Sequence, residues 1–432
     1  LVASLAIYEH RQAEQLQQQD AATRALRAAV LAASSSTDTL VATLQEYVRQ
    51  RPDEARGYTL LGGAYLQKAR ETADPAYYTK AEATLTRAIG LNGEDADALT
   101  SLGELALARH QFAAAIEWGR RAWAINAYKA RTLGVIGDGL IELGRYDEAI
   151  ATFQQMVDLR PDLSSYARVA YARELLGDVE GAIEAMTDAV KAGAPYGENT
   201  AYVAVQLGHL SFNSGRLDEA EAAYQRALRL YPNYKPAQAG VARVRAARGD
   251  LAGAIALQRD IVEVMPLPEF IITLSDFYRA AGQPAEAARQ DELVRAISQL
   301  YRANGVDLDL ELAMFDADRG QNLAAAIEQA RRAYAERPSI KVADVLAWSL
   351  YQAGRYDEAR AASQQALRLG TRDALLHFHA GMIAAKHGDR PAAIAALDTA
   401  LTINPHFSPV YAPEARRTLD QLRAAAAAER QG

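Results

Sequence analysis

The chain contains no cysteine. Disulfides, thiol nucleophiles and thiolate metal sites are therefore excluded. Proline is scarce, with 14 in 432 residues, and most of these fall between stretches of helical periodicity. Proline cannot sit in a helix interior without breaking the ladder, so this placement marks boundaries. Long apolar runs are missing too. Leu1-Val-Ala-Ser-Leu-Ala-Ile-Tyr8 is apolar but stops at Glu9-His10-Arg11, whereas a bilayer-spanning helix needs about 20 residues. An excess of positive charge is absent: the formal net charge is −7 with both signs interspersed, which leaves no basic footprint for nucleic acid. No Gly-Lys-Ser/Thr phosphate loop, no Gly-x-Ser-x-Gly elbow and no Gly-x-Gly-x-x-Gly dinucleotide fingerprint occurs.

What the chain has is repetition. Gly-Arg-Tyr-Asp-Glu-Ala stands at Gly144–Ala149 and again at Gly354–Ala359. Looser copies begin at Gly177, Gly215, Gly249, Gly282 and Gly388, and with Gly320 between Gly282 and Gly354 the leading glycines lie 33 to 38 residues apart. A fixed period in that range signals stacked supersecondary units. The composition, half apolar and rich in Ala, Leu and Arg, is that of an all-helical protein. Arg131–Asp162 is the clearest unit. A first helix, A, carries Leu133, Ile136, Gly137 and Leu140; the turn is Gly144-Arg145; a second helix, B, carries Tyr146, Ala149, Phe153, Met156, Val157 and Leu159; Pro161 ends it. Gly137 lets the two helices approach. Gly144 supplies a left-handed backbone that closes helix A. Ala149 sits at the crossing. Pairs such as Asp147-Glu148, Asp218-Glu219 and Asp357-Glu358 recur at one phase, so they read as first-turn residues at the positive end of helix B rather than as catalytic carboxylates.

This small–large–small framework with its closing proline resembles the tetratricopeptide repeat (TPR) family. Gly103/Ala115, Gly208/Ala220/Pro232, Ala242/Ala254/Pro266, Ala347/Ala359 and Gly381/Ala393/Pro405 repeat it. The resemblance implies an all-α fold: a right-handed TPR solenoid of about ten helix-turn-helix repeats with N- and C-terminal capping helices. The expected organisation is N-terminal helices over 1–54, the array over 55–412, and a capping helix and tail over 413–432. Departures from the period stand out. About seven extra residues around Thr72–Tyr78 predict a long, Tyr-bearing loop between the helices of the first unit. His110 replaces a turn glycine. Ala192–Gly197 lengthens a connection, and a helix ending near Tyr301–Gly305 is about one turn too long.

Phrases such as Tyr301-Arg-Ala-Asn-Gly-Val306, Leu367-Arg-Leu-Gly-Thr-Arg372 and Asn404-Pro-His-Phe407 look like a narrower group, exported bacterial TPR proteins of poorly defined role. That resemblance implies an extracytoplasmic protein, periplasmic or at the cell surface, tethered by or cleaved from an N-terminal segment. Contact with a membrane is then expected only through such an anchor. Leu1–Tyr8 reads either as the trailing end of a signal or anchor segment or as a helix end packed on the array. A cytoplasmic placement is the alternative.

Helix A of each unit lines the concave groove of such a stack. Counting back from the turn glycine gives the groove candidates Tyr171, Tyr202, His209, Phe212, Arg243, Asp276, Arg279, Lys341, Asp344, Trp348, Tyr351 and Phe378. Tyr202, His209 and Phe212 are expected in one pocket, and Trp348, Tyr351 and Phe378 in another. Aromatic anchors flanked by charge suit an extended peptide or a partner helix; the competing reading is that these rings fill a tight superhelical interior. His377 and His379 are two apart and cannot share a helical face as a metal pair would, and no metal or other cofactor is expected. Trp118 and Trp123 fall on helix B and read as packing residues. The expected function is a non-catalytic scaffold for a protein or extended peptide. A cytoplasmic regulator that senses a small peptide and a structural assembly component are the alternatives.

Overall fold

A computed structural model of the chain describes residues 36–194 and 197–431, and every described element is an α-helix. Residues 1–35 of the N-terminal helices expected over 1–54, the apolar segment Leu1–Tyr8 among them, and residues 195–196 of the 192–197 connection lie outside the described residues. Helix α1 (Thr37–Gln50) opens the structure. Ten helical hairpins follow among the described residues, from α2 (Ala55–Thr72) with α3 (Ala76–Leu91) to α20 (Ala374–His387) with α21 (Arg390–Ile403). Helix α22 (Tyr411–Gln431) covers the last hairpin.

The hairpins form for local reasons. Carboxylate caps start several helices: Asp95, Asp178, Asp250 and Asp373 each accept hydrogen bonds from the first-turn backbone, satisfying groups that have no partner inside the helix. Left-handed glycines end the first helices, Gly144 at φ 73° among them. Each crossing is a small residue against a large one. A Cβ on Gly137 would lie 2.2 Å from the Phe153 ring, and one on Gly208 would lie 2.3 Å from the Tyr224 ring. Ala149 and Ala220 are fully buried at the equivalent contacts.

One sequence expectation is corrected. The extra residues near Thr72–Tyr78 do not make a loop. They lengthen the helices, and only residues 73–75 connect α2 to α3. Ala73 turns left-handed at φ 55°, and the Asp74 Oδ1 accepts the Ala76 amide at 2.9 Å. Tyr77 and Tyr78 then belong to the first turn of α3. The expected long helix is present as α15 (Pro284–Ala303).

The array coils until it meets itself. Four successive turns within hairpins touch four successive connections, each at the end of the unit five places further on. His110 Nδ1 lies 2.7 Å from the Asp307 carbonyl, and the Asp307 amide donates to the Arg109 carbonyl at 3.1 Å. Gly144 meets Pro338, Gly177 meets Gly370, and Gly215 meets Ile403. Thr371 donates its hydroxyl to the Leu175 carbonyl, and Asn404 Nδ2 donates to the Phe212 carbonyl at 2.8 Å. At the other end of this seam Tyr301 Oη donates to the Ala73 carbonyl at 2.9 Å. The two irregular segments, 72–78 and 301–305, thus meet each other. A simple solenoid has contacts only between neighbours; this one also has contacts between coils.

Candidate functional site

Closing the coil encloses the concave surface. Helices α10 (Glu198–Asn213), α12 (Lys235–Ala247) and α14 (Pro268–Ala280) form one wall of a cavity of about 1040 Å³. Residues of α2 with Tyr78 and Tyr301 form one rim, and the segment Pro405–Arg416 forms the other.

The chemistry on the wall starts from His209. It lies 2.8 Å from the Tyr224 hydroxyl. Burial and the neighbouring Arg243 charge push its pKa down to about 3, so the ring is neutral at physiological pH. The Arg243 guanidinium lies over the Phe212 ring, 4.1 Å from its centroid. Its polar contacts are long ones to His209 at 3.5 Å and Asn213 at 3.4 Å. This cation is engaged by an aromatic face and neutral groups rather than by a carboxylate. Tyr202, half exposed at 50 %, projects into the same cavity. Glu269 also lines it, and burial raises its pKa against the opposing Arg243 charge. Glu198 accepts from the Tyr234 hydroxyl at 2.7 Å and from Gln67 at 3.3 Å, 131 residues away.

Elsewhere the concave charges neutralise one another from unit to unit. Arg131 pairs with Glu104, and Arg168 with Asp138 at 2.6 Å. Arg319, 4 % exposed, holds Asp276 at 2.9 Å and Asp291 at 3.2 Å. Burial lifts the Asp276 carboxyl to about 6 while Arg319 opposes the rise. His379 lies 3.0 Å from Asp344. Burial disfavours the His379 cation, but the Asp344 charge and hydrogen bond outweigh it and raise the pKa.

Of the sequence-derived groove residues, Tyr202, His209, Phe212, Arg243 and Asp276 line the one cavity. The other seven do not line it. Trp348 is 2 % exposed and Phe378 fully buried, and Asp344 is buried beneath them. Trp348 is stacked between Tyr351 at 4.8 Å and His379 at 4.1 Å, and its Nε1 donates to Asp318 at 3.0 Å. Phe407 and Tyr411 close over Phe378, at 5.6 and 5.0 Å between centroids. The C-terminal segment therefore converts this pocket into core, leaving only Tyr351 half-buried at its edge. Arg279 turns away from the cavity and pairs with Asp291 of α15. Tyr171 and Lys341 belong to the seam: the Lys341 ammonium lies 5.4 Å from the Tyr171 ring centroid and 3.3 Å from Glu142.

Tyr78 and Tyr301 lie in two of the departures from the period, 72–78 and 301–305, but their meeting at one cavity with Pro405–Arg416 was not legible, because these segments reach it from other coils. The clearest available signal was His110, a side chain in a turn that elsewhere demands glycine. It holds φ 60° and uses its ring to bind the opposite coil. Among the described residues no group of three or more His, Asp or Glu side chains is arranged to hold a metal ion, and no helix is long and apolar enough to cross a membrane.

Comparison with known proteins finds the same repeat. One tetratricopeptide repeat model matches residues 76–130, 135–197 and 345–406, and a second matches 201–234. Tetratricopeptide repeat protein 36 of Mus musculus is 35% identical over 102 residues, covering 23% of this chain and 55% of that protein. The Homo sapiens protein of the same name is 35% identical over 103 residues, covering 24% and 54%. The chain thus spans about half the length of the curated relatives it matches. Among solved structures, the Cut9–Hcn1 hetero-tetramer of the APC/C aligns over 92% of this chain and 95% of its own, at 15% identity and a TM-score of 0.38. The helical hairpins, their small–large crossings and the matched repeats agree: the chain is a tetratricopeptide repeat protein.

Proposed function

We propose that the chain is a non-catalytic scaffold that holds an extended peptide of a partner protein in the cavity on α10, α12 and α14. The observation that carries this reading is Arg243, a cation set on an aromatic face inside a cavity of about 1040 Å³. An extended peptide offers carbonyl or carboxylate oxygens to such a guanidinium, and the half-exposed Tyr202 ring offers a surface for an apolar side chain. Arg243 is held by no carboxylate and the Tyr202 ring is half exposed, so both have capacity left for a partner.

Panning a peptide library against the protein and measuring the selected peptides by calorimetry tests the proposal. Arg243→Ala and Tyr202→Ala should each weaken binding by about tenfold or more, since such anchors contribute about 1–3 kcal/mol. The exposed control Tyr128→Ala should change nothing. Equal affinity in all three variants, or no selectable peptide, contradicts the reading. Placement outside the cytoplasm through an N-terminal tether is a second part of the proposal, supported by the resemblance of the quoted phrases to exported proteins. Cell fractionation tests it, and recovery with cytoplasmic markers contradicts it.

A further inference from the structure

The seam also frames the cavity. Tyr301 and Ala73, joined by a hydrogen bond of 2.9 Å, stand on one rim. Asn404, which donates to the Phe212 carbonyl at 2.8 Å, anchors the Pro405–Arg416 rim on the other. Along the seam the backbones are in close contact. A Cβ on Gly144 would lie 2.7 Å from the Pro338 carbonyl oxygen, and one on Gly177 would lie 2.6 Å from that of Gly370. No chain can pass between backbones that cannot accommodate a methyl group. In an open solenoid a partner could lie sideways into the concave face. Here the coils meet along that side at Gly144, Gly177 and Gly215, while the turns at Gly249 and Gly282, beyond the seam, face nothing within 4 Å of an added Cβ and leave the end of the coil open.

We infer that the lumen is loaded end-on, so that its occupant is the free, flexible terminus of a partner chain and not a folded surface or an internal loop. This rests on the cavity being a peptide site, as proposed above, but the route of access can be measured without any partner. The seam acts as a latch: hydrogen bonds at His110, Tyr146, Thr371 and Asn404 hold the coils together. Weakening the latch should open the lateral route.

The chain has no cysteine, so Thr273→Cys, on the cavity wall, gives a single reporter thiol. Three probes distinguish the routes: N-ethylmaleimide, a maleimide at the end of a linear polyethylene glycol, and a maleimide fixed on folded ubiquitin. They are applied in the natural background and in one whose seam is weakened by Tyr146→Phe with Asn404→Ala. A second weakened background, Thr371→Val with Lys341→Ala, serves if the first does not fold. The inference expects the linear reagent to label both backgrounds at similar rates. The ubiquitin reagent should gain about tenfold or more when the seam is weakened, because losing two seam hydrogen bonds raises the open population by that order. Equal ubiquitin labelling in both backgrounds overturns it, as does failure of the linear reagent in the natural one. Either result leaves the peptide-binding reading standing. Conversely, the expected labelling with no selectable peptide would remove the peptide reading and keep the end-on route.

Discussion

The hydroxyl of Tyr146 accepts a hydrogen bond from the Ile340 amide at 2.8 Å, across 194 residues of chain. Tyr146 belongs to the first perfect copy of Gly-Arg-Tyr-Asp-Glu-Ala. Its equivalent in the second copy, Tyr356, packs beside its own unit's Tyr351, at 5.8 Å between ring centroids. Two identical hexapeptides therefore have different surroundings, and the difference lies one coil away.

That contrast gives a matched pair of substitutions. Gly144 and Gly354 share φ 73°, but a Cβ on Gly144 meets Pro338 at 2.7 Å while one on Gly354 meets nothing within 4 Å. Both alanine variants carry the left-handed penalty of about 1–2 kcal/mol. Gly144→Ala should cost a further 1–3 kcal/mol, roughly, from overpacking at the seam. Urea denaturation of the two proteins checks it; equal costs would mean that the coils do not meet there.

The hairpins were legible in the sequence because their determinants are close together. Gly137 and Phe153, or Gly208 and Tyr224, lie sixteen residues apart, within one unit. Groove phase was legible for the same reason, and it placed Tyr202, His209, Phe212, Arg243 and Asp276 on one wall. Coil closure was not legible. It follows from small rotations summed over five units, and no window of sequence contains that sum. Phase also gives a direction without saying what stands opposite, which is why Trp348 and Phe378 read as groove anchors although Phe407 and Tyr411 bury them.

Trp348 and Phe378 consequently act on stability. Trp348→Ala and Phe378→Ala should each lower it by about 3–5 kcal/mol, the range for emptying a large buried aromatic site. Chemical denaturation gives the value. A cost below about 1 kcal/mol would return either ring to the groove.

Glu174 makes the fold sensitive to pH. Burial, followed by the nearby Asp373 charge, raises its pKa from 4.5 to about 7, with Lys341 opposing the rise. The folded state therefore holds a proton that the unfolded chain releases at lower pH. Stability from this group is full below about 4.5 and declines as pH rises through about 7. Glu174→Gln should flatten the decline in urea midpoint between roughly pH 5 and pH 8. An unchanged slope would show that Glu174 ionises freely in the folded protein.

Closure of the coil on itself can be tested at Thr79 and Asn304. Their side chains lie 3.1 Å apart, Oγ1 to Oδ1, although 225 residues separate them. The chain has no cysteine of its own, so a Thr79→Cys, Asn304→Cys protein treated with a short bis-maleimide has one pair of thiols to join. A closed coil gives an intramolecular link in the monomer, identified by mass spectrometry as the two peptides joined. Two singly modified thiols with no link would contradict it.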